Sequence, residues 1–287
     1  IGFDFNKGVI KESEHPFTLN FNNKDVRITT HYYEKNILSS IFSTIHEGGH
    51  AIYEQQIDDV VSEIVLGEGT SMGIHESQSR IFENMFGRNI NFLKNIFNKF
   101  DELFDVRSKG IEVEDFYKIV NTVSKSLIRI EADELTYPIH IMIRYELEKE
   151  IFSNLEEIES SEYIDYLANK WADMYEEFLG VRPTTNSEGI LQDVHWSSGL
   201  FGYFPSYALG SAYAAQIYNS MNKEFSIEEN LSNGNFDNIN SFLKDKIHKF
   251  GKSKTPNELL ILATGEAFNP DYYINYLKEK YRKIYGI

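Results

Sequence analysis

The segment His46-Glu47-Gly48-Gly49-His50 combines residue types and a spacing that suit metal-dependent hydrolysis. On a helix, His46 and His50 lie one turn apart on one face, so both imidazoles can reach a single Zn²⁺ at ~2.0–2.1 Å. Glu47, beside the first histidine, can take a proton from a zinc-bound water without binding the metal. Zinc lowers the pKa of that water towards ~7, so a carboxylate suffices as base at neutral pH. The pattern predicts a catalytic zinc site, in which cobalt can replace zinc.

Chance is the competing explanation for this motif, since such a match is expected in roughly a few per cent of chains. Two features favour the metal site. The preceding run, ILSSIFSTI, supports the helix that the motif needs. Gly48 and Gly49 would each cost ~1 kcal/mol against alanine in that helix, but they would let another backbone or a substrate approach closely.

A catalytic zinc needs a third protein ligand and an open fourth position. His75 and Glu76 both lie on the next predicted helix, and the spacing from His50 leaves both possible. His75 shares a helical face with Phe82 and Phe86, whereas Glu76 shares one with Arg80 and Glu83. We favour Glu76, because a buried His75 could instead hold one of the ligands by a hydrogen bond.

The elements that must position these side chains can be predicted from hydrophobic periodicity. Residues 17–28 alternate around a polar turn and predict a β-hairpin. Helical spacing predicts an amphipathic helix over about 31–56, and Ser71 can cap a second helix through about Phe86. Further helices are predicted at 113–123, 139–152 and 162–179 and near Pro205, Asn238 and Asp271, with a loop over 183–202. The prediction is a mainly α protein with a small β-hairpin or sheet element.

Residues 232–235 are too short a linker to separate domains, so we expect one catalytic domain over residues 1–287.

Composition excludes several classes of function. The chain has 28 basic and 44 acidic side chains, a formal charge of −16, so a nucleic-acid partner is not expected. It has no cysteine and no apolar run near the ~18 residues that span a bilayer, so we expect neither disulfides nor membrane insertion. These features favour a cytoplasmic location. The N-terminus, IGFDFNKGVI, has neither an initiator methionine nor a signal pattern, and is typical of the middle of a longer polypeptide.

Six short blocks resemble, in order, the motifs of the Taq-type thermostable metallocarboxypeptidase family, which are zinc carboxypeptidases with an HExxH motif. The blocks are His15-Pro16-Phe17, Asp25 to Thr29, His46 to His50, His75 to Gln78, Ile128-Arg129 with Ala132-Asp133, and Gly189 to Trp196. The resemblance implies Glu76 as the third ligand, peptide substrates with a free C-terminal carboxylate, and a homodimer. It also implies a zincin-like pair of active-site helices in a groove-bearing helical shell, of which this chain covers only the C-terminal part, without the N-terminal helical half. The family usually has an arginine where His31 stands, which puts one possible carboxylate contact in doubt.

A carboxypeptidase must recognise a terminal carboxylate, and arginine does so through its bidentate fork. Arg129 is our first choice, although an ion pair with the neighbouring acids Glu131, Asp133 and Glu134 is the structural alternative. Arg27 is a second candidate, which could equally be an exposed strand residue or a salt-bridge partner.

The last block and its continuation, SSGLFGYFPSYALG, supply the remaining candidates. His195 could donate a hydrogen bond to the oxyanion or hold the substrate backbone, or could simply pack beside Trp196. Tyr203 is a candidate catalytic residue, while Gln192 and Tyr207 are candidates for binding substrate; the sequence does not decide which of the two tyrosines assists catalysis. Other residues have weaker arguments: Asp133 could orient a zinc-binding histidine or pair with Arg129, His15 could line the cleft, and His140 and His248 are expected to be structural.

The sequence therefore predicts a zinc-dependent metallocarboxypeptidase in which Glu47 activates water for attack on the last peptide bond. A zinc endopeptidase with the same core is the alternative enzyme. From another class, a zinc-binding but inactive module that binds a partner is possible, since the chain covers only part of the family architecture.

Overall fold

The computed structural model describes residues 1–157 and 160–287. It is mainly helical with one small sheet, which confirms the predicted fold class. The α-helices in the described residues are α1 (Ile37–Gln55), α2 (Asp59–Ser62), α3 (Met72–Arg80), α4 (Ile90–Phe104), α5 (Val113–Val120), α6 (Tyr137–Ser153), α7 (Ser161–Leu179), α8 (Pro205–Glu224), α9 (Ile227–Ser232), α10 (Asp237–Lys246), α11 (Pro256–Thr264) and α12 (Asp271–Tyr285). Among them we found none that is both long and apolar enough to cross a membrane.

The sheet has three strands, β1 (Gly8–Glu12), β2 (Thr18–Asn22) and β3 (Asp25–Thr30), in the order β1-β3-β2. The antiparallel pair β2–β3 is the predicted hairpin. Strand β1, which pairs in parallel with β3, was not predicted, because its five residues carry too short an alternation to identify. Along β2, Thr18 and Asn20 donate hydrogen bonds to side chains of α1, so this face of the sheet packs on the motif helix.

The motif helix α1 begins at Ile37, six residues later than predicted. Asn36 caps it, since its side-chain oxygen accepts a hydrogen bond from the Ser39 N–H at 3.2 Å. Gly180, in the left-handed region at φ 67°, follows α7, which ends at Leu179 as predicted. Helix α4 was not predicted, although its apolar residues have the helical period.

The second predicted helix is present as α3, but its last two turns differ. Ser71 caps α3 by accepting a hydrogen bond from the Ile74 N–H. After Arg80 the chain continues as a π-helix over Ile81–Gly87, with wider turns than an α-helix. Such segments are frequent at functional sites, and this one carries Glu83, which contacts the motif helix.

The chain divides into two compact units, one of residues 1–120 with 209–287 and the other of residues 121–208. In the first unit, an aromatic and aliphatic core surrounds Phe42, Leu93 and Phe97. In the second unit, α6 and α7 pack around Trp171 and Tyr175. The single catalytic domain over residues 1–287 stays a prediction.

Candidate active site

Three potential metal donors meet in the first unit. The nitrogen or oxygen donor atoms of His46, His50 and Glu76 lie within 4.8 Å of one another, and His46 Nε2 is 3.8 Å from Glu76 Oε2. His50 and Glu76 are buried. Two imidazoles and a carboxylate form a donor set that zinc takes in catalytic sites, where a fourth position stays open. The three side chains could therefore hold a metal ion.

Two glycines explain how α3 comes so close to its neighbours. A Cβ atom added to Gly49 of α1 would lie 2.7 Å from the Gln78 carbonyl oxygen and 2.8 Å from Ser79 Cα. One added to Gly210 of α8 would lie 2.4 Å from Glu76 Cβ. The backbone of α3 is thus in direct contact with both helices beside Glu76. Gly49 and Gly210 are unfavourable in an isolated helix, but this close packing of the helices needs them.

We expect Gly210→Ala to lower the free energy of unfolding by ~1–3 kcal/mol, because the added methyl overpacks α8 against α3. Gly73→Ala on α3 is the matched control. Its Cβ would meet Tyr213 Cε2 at 3.3 Å, a side chain rather than backbone, so this variant should stay near the parent. Denaturant unfolding measures both. A Gly210→Ala protein as stable as the parent would show that the α3–α8 contact can relax.

His46 is oriented by Glu83. The Nδ1 atom of His46 lies 2.9 Å from Glu83 Oε2, and a carboxylate only accepts, so Nδ1–H donates and Nε2 remains for a metal. Burial opposes a charged ring, but the hydrogen bond and charge of Glu83 raise the pKa of His46. Burial would raise the pKa of Glu83, but His46, Arg80 and Arg88 hold it well below its usual range. Glu83 is therefore a carboxylate that fixes one imidazole.

His50 has a different partner, the other candidate for the third ligand. The Nδ1 atoms of His50 and His75 are 2.9 Å apart. Burial lowers the pKa of His50 well below its ordinary value, and the neighbouring His75 acts in the same direction. His50 is thus neutral, as a metal ligand must be. The structure gathers Glu76, rather than His75, with the two motif histidines.

Glu47, the predicted base, is held by the sheet. Thr18 of β2 donates its hydroxyl to Glu47 Oε2 at 2.6 Å. Burial raises the pKa of Glu47, an effect that His46 and the Thr18 hydrogen bond oppose. The group of metal donors does not include Glu47. It is therefore a fixed carboxylate next to a ligand position, as the role of a base requires.

In the second unit, Arg129 is buried and paired. Its Nε and Nη2 donate to Asp193 Oδ1 at 3.0 and 2.8 Å, and its Nη1 donates to the Tyr137 hydroxyl at 3.0 Å. The acidic partner is Asp193, rather than the three acids near Arg129 in sequence. Arg144 donates from Nε to the other oxygen, Asp193 Oδ2, at 2.7 Å. Two buried guanidinium groups therefore share one carboxylate.

The other candidates from the last block and from the residues that follow it surround this group. Gln192 Oε1 accepts one hydrogen bond from the backbone N–H of Arg129 at 2.9 Å and another from the side-chain Nη2 of Arg144 at 2.8 Å. His195 Nε2 lies 3.0 Å from the Tyr207 hydroxyl, and the His195 and Tyr203 ring centroids are 5.4 Å apart. Burial lowers the pKa of His195, and the Arg129 charge adds to this, so the ring is neutral. The second unit thus brings Arg129, Gln192, His195 and Tyr207 into one cluster.

Arg27 lies elsewhere in the first unit. Its guanidinium is half exposed, pairs with Asp25 at 2.8 Å and lies over the Phe21 ring. This is the salt-bridge alternative noted from the sequence, and the structure does not gather Arg27 with the metal donors. Asp133 caps a local turn by accepting from the Leu135 and Thr136 N–H groups. His15 is exposed.

His140 and His248 are fully buried, in the second and first unit respectively. Burial lowers the pKa of each to about 3, with a contribution from Arg144 for His140 and from His75 for His248. Both rings are therefore neutral in the folded chain at neutral pH. His248 contacts Gln56 and Gln78, and His140 contacts Tyr175, which fits the expected structural role.

We expect each of these two histidines to lower the free energy of unfolding by ~2 kcal/mol when the pH falls from 7.5 to 5. The unfolded state takes up protons below a pKa of ~6.5, whereas the folded state does so only near 3, so stability is lost as pH decreases through this window. Denaturant unfolding at both pH values measures the loss. His248→Leu and His140→Leu should each reduce the pH dependence, and an unchanged slope in both variants would contradict the assignment.

Sequence reasoning missed several residues of these groups. Glu54, whose Oε1 lies 2.6 Å from His75 Nε2, is four residues after His50 on α1, so helical spacing alone would have placed it on the face of His50. The spacing did place Glu83 on the face of Glu76, but its contact with His46 was not predicted. Asp193 follows Gln192 in the last block. Arg144 carried no local signal, because its partner is 49 residues away.

Comparisons with known proteins identify the family of this chain. Residues 1–281 match the family model described as carboxypeptidase Taq (M32) metallopeptidase. The chain is 48% identical over 286 residues to Carboxypeptidase 1 of Bacillus subtilis, covering 99% of this chain and 56% of that protein. It is 40% identical over 287 residues to Thermostable carboxypeptidase 1 of Thermus thermophilus, covering 99% and 55%. The crystal structure of an M32 carboxypeptidase from Deinococcus radiodurans superposes with a TM-score of 0.93 at 38% identity, covering 99% of this chain and 56% of that one.

The chain thus spans about half the length of the curated relatives that it matches. The match extends over nearly all of its own residues, including both histidines of the motif and the last block. The chain belongs to the carboxypeptidase Taq (M32) metallopeptidase family.

Proposed function

We propose that the chain carries the catalytic centre of a zinc-dependent metallocarboxypeptidase, with His46, His50 and Glu76 as zinc ligands. The observation that carries the proposal is the meeting of these three donors beside Glu47. When bound, Zn²⁺ acts as a Lewis acid and lowers the pKa of a water molecule. Cobalt can supply the same chemistry.

In this proposal Glu47 takes the proton from the attacking water. Its carboxylate is held by the Thr18 hydroxyl on one oxygen, which fixes its direction. The raised pKa of Glu47 suits a group that must accept a proton and then return it to the leaving amine. Deprotonation of water and protonation of the amine are thus assigned to one side chain.

Substrate recognition is assigned to the second unit. Two arginines against one carboxylate leave an excess of one positive charge, which favours an anionic partner such as a terminal carboxylate. Arg129 is proposed for this contact, with Gln192 and Tyr207 beside it. Neutral His195 and Tyr203 are proposed as hydrogen-bond donors to the substrate or the oxyanion. Arg27 stays the weakest candidate, since its charge is balanced by Asp25 at the surface, without the excess positive charge of the buried arginine pair.

The proposal also includes the family's homodimer and a cytoplasmic location. Light scattering of the purified chain tests the homodimer. A monomeric mass would exclude a stable dimer of these 287 residues. The formal charge of −16 and the lack of cysteine are consistent with a cytoplasmic location.

Hydrolysis of matched free-acid and amidated peptides, with chelator and with added zinc, tests the function. We expect release of the C-terminal residue from free acids only, loss of activity with chelator, and recovery with zinc. Equal cleavage of both peptides would indicate an endopeptidase instead. Activity that chelator leaves unchanged would contradict a metal-dependent enzyme, and zinc binding without hydrolysis would favour an inactive binding module.

A further inference from the structure

A chain of hydrogen bonds continues from His50 into the interior of the first unit. The His50 and His75 Nδ1 atoms are 2.9 Å apart, and His75 Nε2 lies 2.6 Å from Glu54 Oε1. Glu54 also accepts from the Gly69 N–H at 2.9 Å and, on its second oxygen, from the Asn20 side-chain amide at 2.8 Å. Its side chain is 4% exposed.

The hydrogen positions in this series of hydrogen bonds can be assigned by starting from Glu54. An ionised carboxylate only accepts, and both Glu54 oxygens accept from N–H donors, so we assign the hydrogen towards Glu54 to His75 Nε2. With the His75 hydrogen on Nε2 and the His50 Nε2 lone pair on a metal, the hydrogen of His50 lies on Nδ1, and His50 Nδ1–H donates to His75 Nδ1 in the proposed centre.

Packing holds the His75 ring in one orientation. A Cβ atom added to Gly69 would lie 2.7 Å from His75 Cδ2, and the Tyr53 ring centroid is 4.9 Å from that of His75. The Tyr53 hydroxyl accepts from the Thr70 N–H at 3.0 Å, so the segment over the ring is itself fixed. A turned-over ring would place carbon atoms where Nδ1 and Nε2 now lie and would lose the contacts with both His50 and Glu54.

We propose that His75 is a positioning residue of the metal centre, which fixes the tautomer and direction of His50 while Glu54 fixes the tautomer of His75. The inference rests on the proposed metal centre and adds residues to it. Groups that hold a ligating histidine in this way typically change metal affinity 10–100-fold when replaced. His75 thus contributes without contacting the ion or the substrate.

Two amide substitutions separate the roles of the two ring nitrogens. His75→Asn places its amide oxygen near the position of Nδ1 and can still accept from His50. His75→Gln reaches the position of Nε2, so it keeps the contact with Glu54 but offers no acceptor to His50. Both are polar and of similar size, which makes them matched controls for each other.

We expect His75→Gln to weaken zinc binding about 10–100-fold, measured by competition with a chelator, and His75→Asn to recover most of that loss. The cobalt-loaded His75→Gln protein should also show a changed visible absorption spectrum, whereas His75→Asn should resemble the parent. Unfolding of the metal-free proteins provides a separate measure of the fold.

Parent-like zinc affinity in both variants, or equal weakening in both, would overturn the proposed role of His75. A parent chain that binds no zinc, or a His50→Ala variant that binds it as tightly as the parent, would instead contradict the metal centre itself. The two failures are therefore distinguishable in the same titration.

Discussion

Glu47→Gln is expected to lower peptidase turnover by on the order of 10²–10⁴-fold while the metal content stays at the parent level. Glutamine keeps the size of the side chain and an oxygen that can accept from Thr18, so its position on α1 is retained. It has no carboxylate to take a proton from water. The effect should therefore fall on turnover rather than on metal binding.

Steady-state kinetics and metal analysis of the same preparation test this expectation. Thr18→Val is the matched milder change, because it removes the hydroxyl that holds Glu47 and leaves the carboxylate in place. We expect its activity to lie between those of the parent and Glu47→Gln. Loss of metal from Glu47→Gln would show that Glu47 is a ligand or a support for one.

Asp193→Asn should destabilise the chain by ~3–5 kcal/mol, the scale for removing one partner of a buried ion pair. The two arginines that share Asp193, Arg129 and Arg144, are 7% and 0% exposed as side chains. Asparagine keeps the size of the side chain but leaves both cations without a compensating charge. Denaturant unfolding at neutral pH measures the loss.

Asp173→Asn is the control for this prediction. Asp173 pairs with Arg182 at 2.6 Å, but both side chains are exposed, so we expect a cost of ~0–1 kcal/mol. A cost for Asp193→Asn no larger than that of Asp173→Asn would contradict the importance of the buried group.

The sign of the pH effect at Asp193 follows from its environment. Burial would raise the pKa of Asp193, but the hydrogen bond and charges of the two arginines hold it below its usual value. Its contribution to stability is therefore present above the unfolded-state pKa of ~3.9 and is lost as pH falls through the folded-state value. The parent should lose this contribution only in acid, whereas Asp193→Asn lacks it at every pH.

The features of the candidate site that could be predicted are those set within one or two helices. The spacing of His46 and His50 predicts a shared face, and the apolar period around them predicts the helix that presents it. The Ser71 cap likewise depends on residues only three apart. Such patterns depend on backbone geometry that neighbouring residues determine.

Contacts between distant segments could not be predicted in this way. The ion pair considered for Arg129 as the alternative to substrate binding was with acids beside it, yet its partner lies 64 residues further along the chain. His75 and Glu76 were both possible ligands, because their directions depend on how α3 packs against α1. Strand β1 exists through its pairing with β3, which its five residues do not encode alone.

The glycine contacts of α3 have a consequence for how the centre would take up an ion. Because Gly49 and Gly210 touch the main chain or Cβ of α3, the place of Glu76 is set by helix-to-helix contact rather than by adjustable side chains. Glu76 is therefore ordered when the chain folds, and metal binding carries little further entropic cost for ordering it. A donor that is ordered in advance favours tighter binding of the ion.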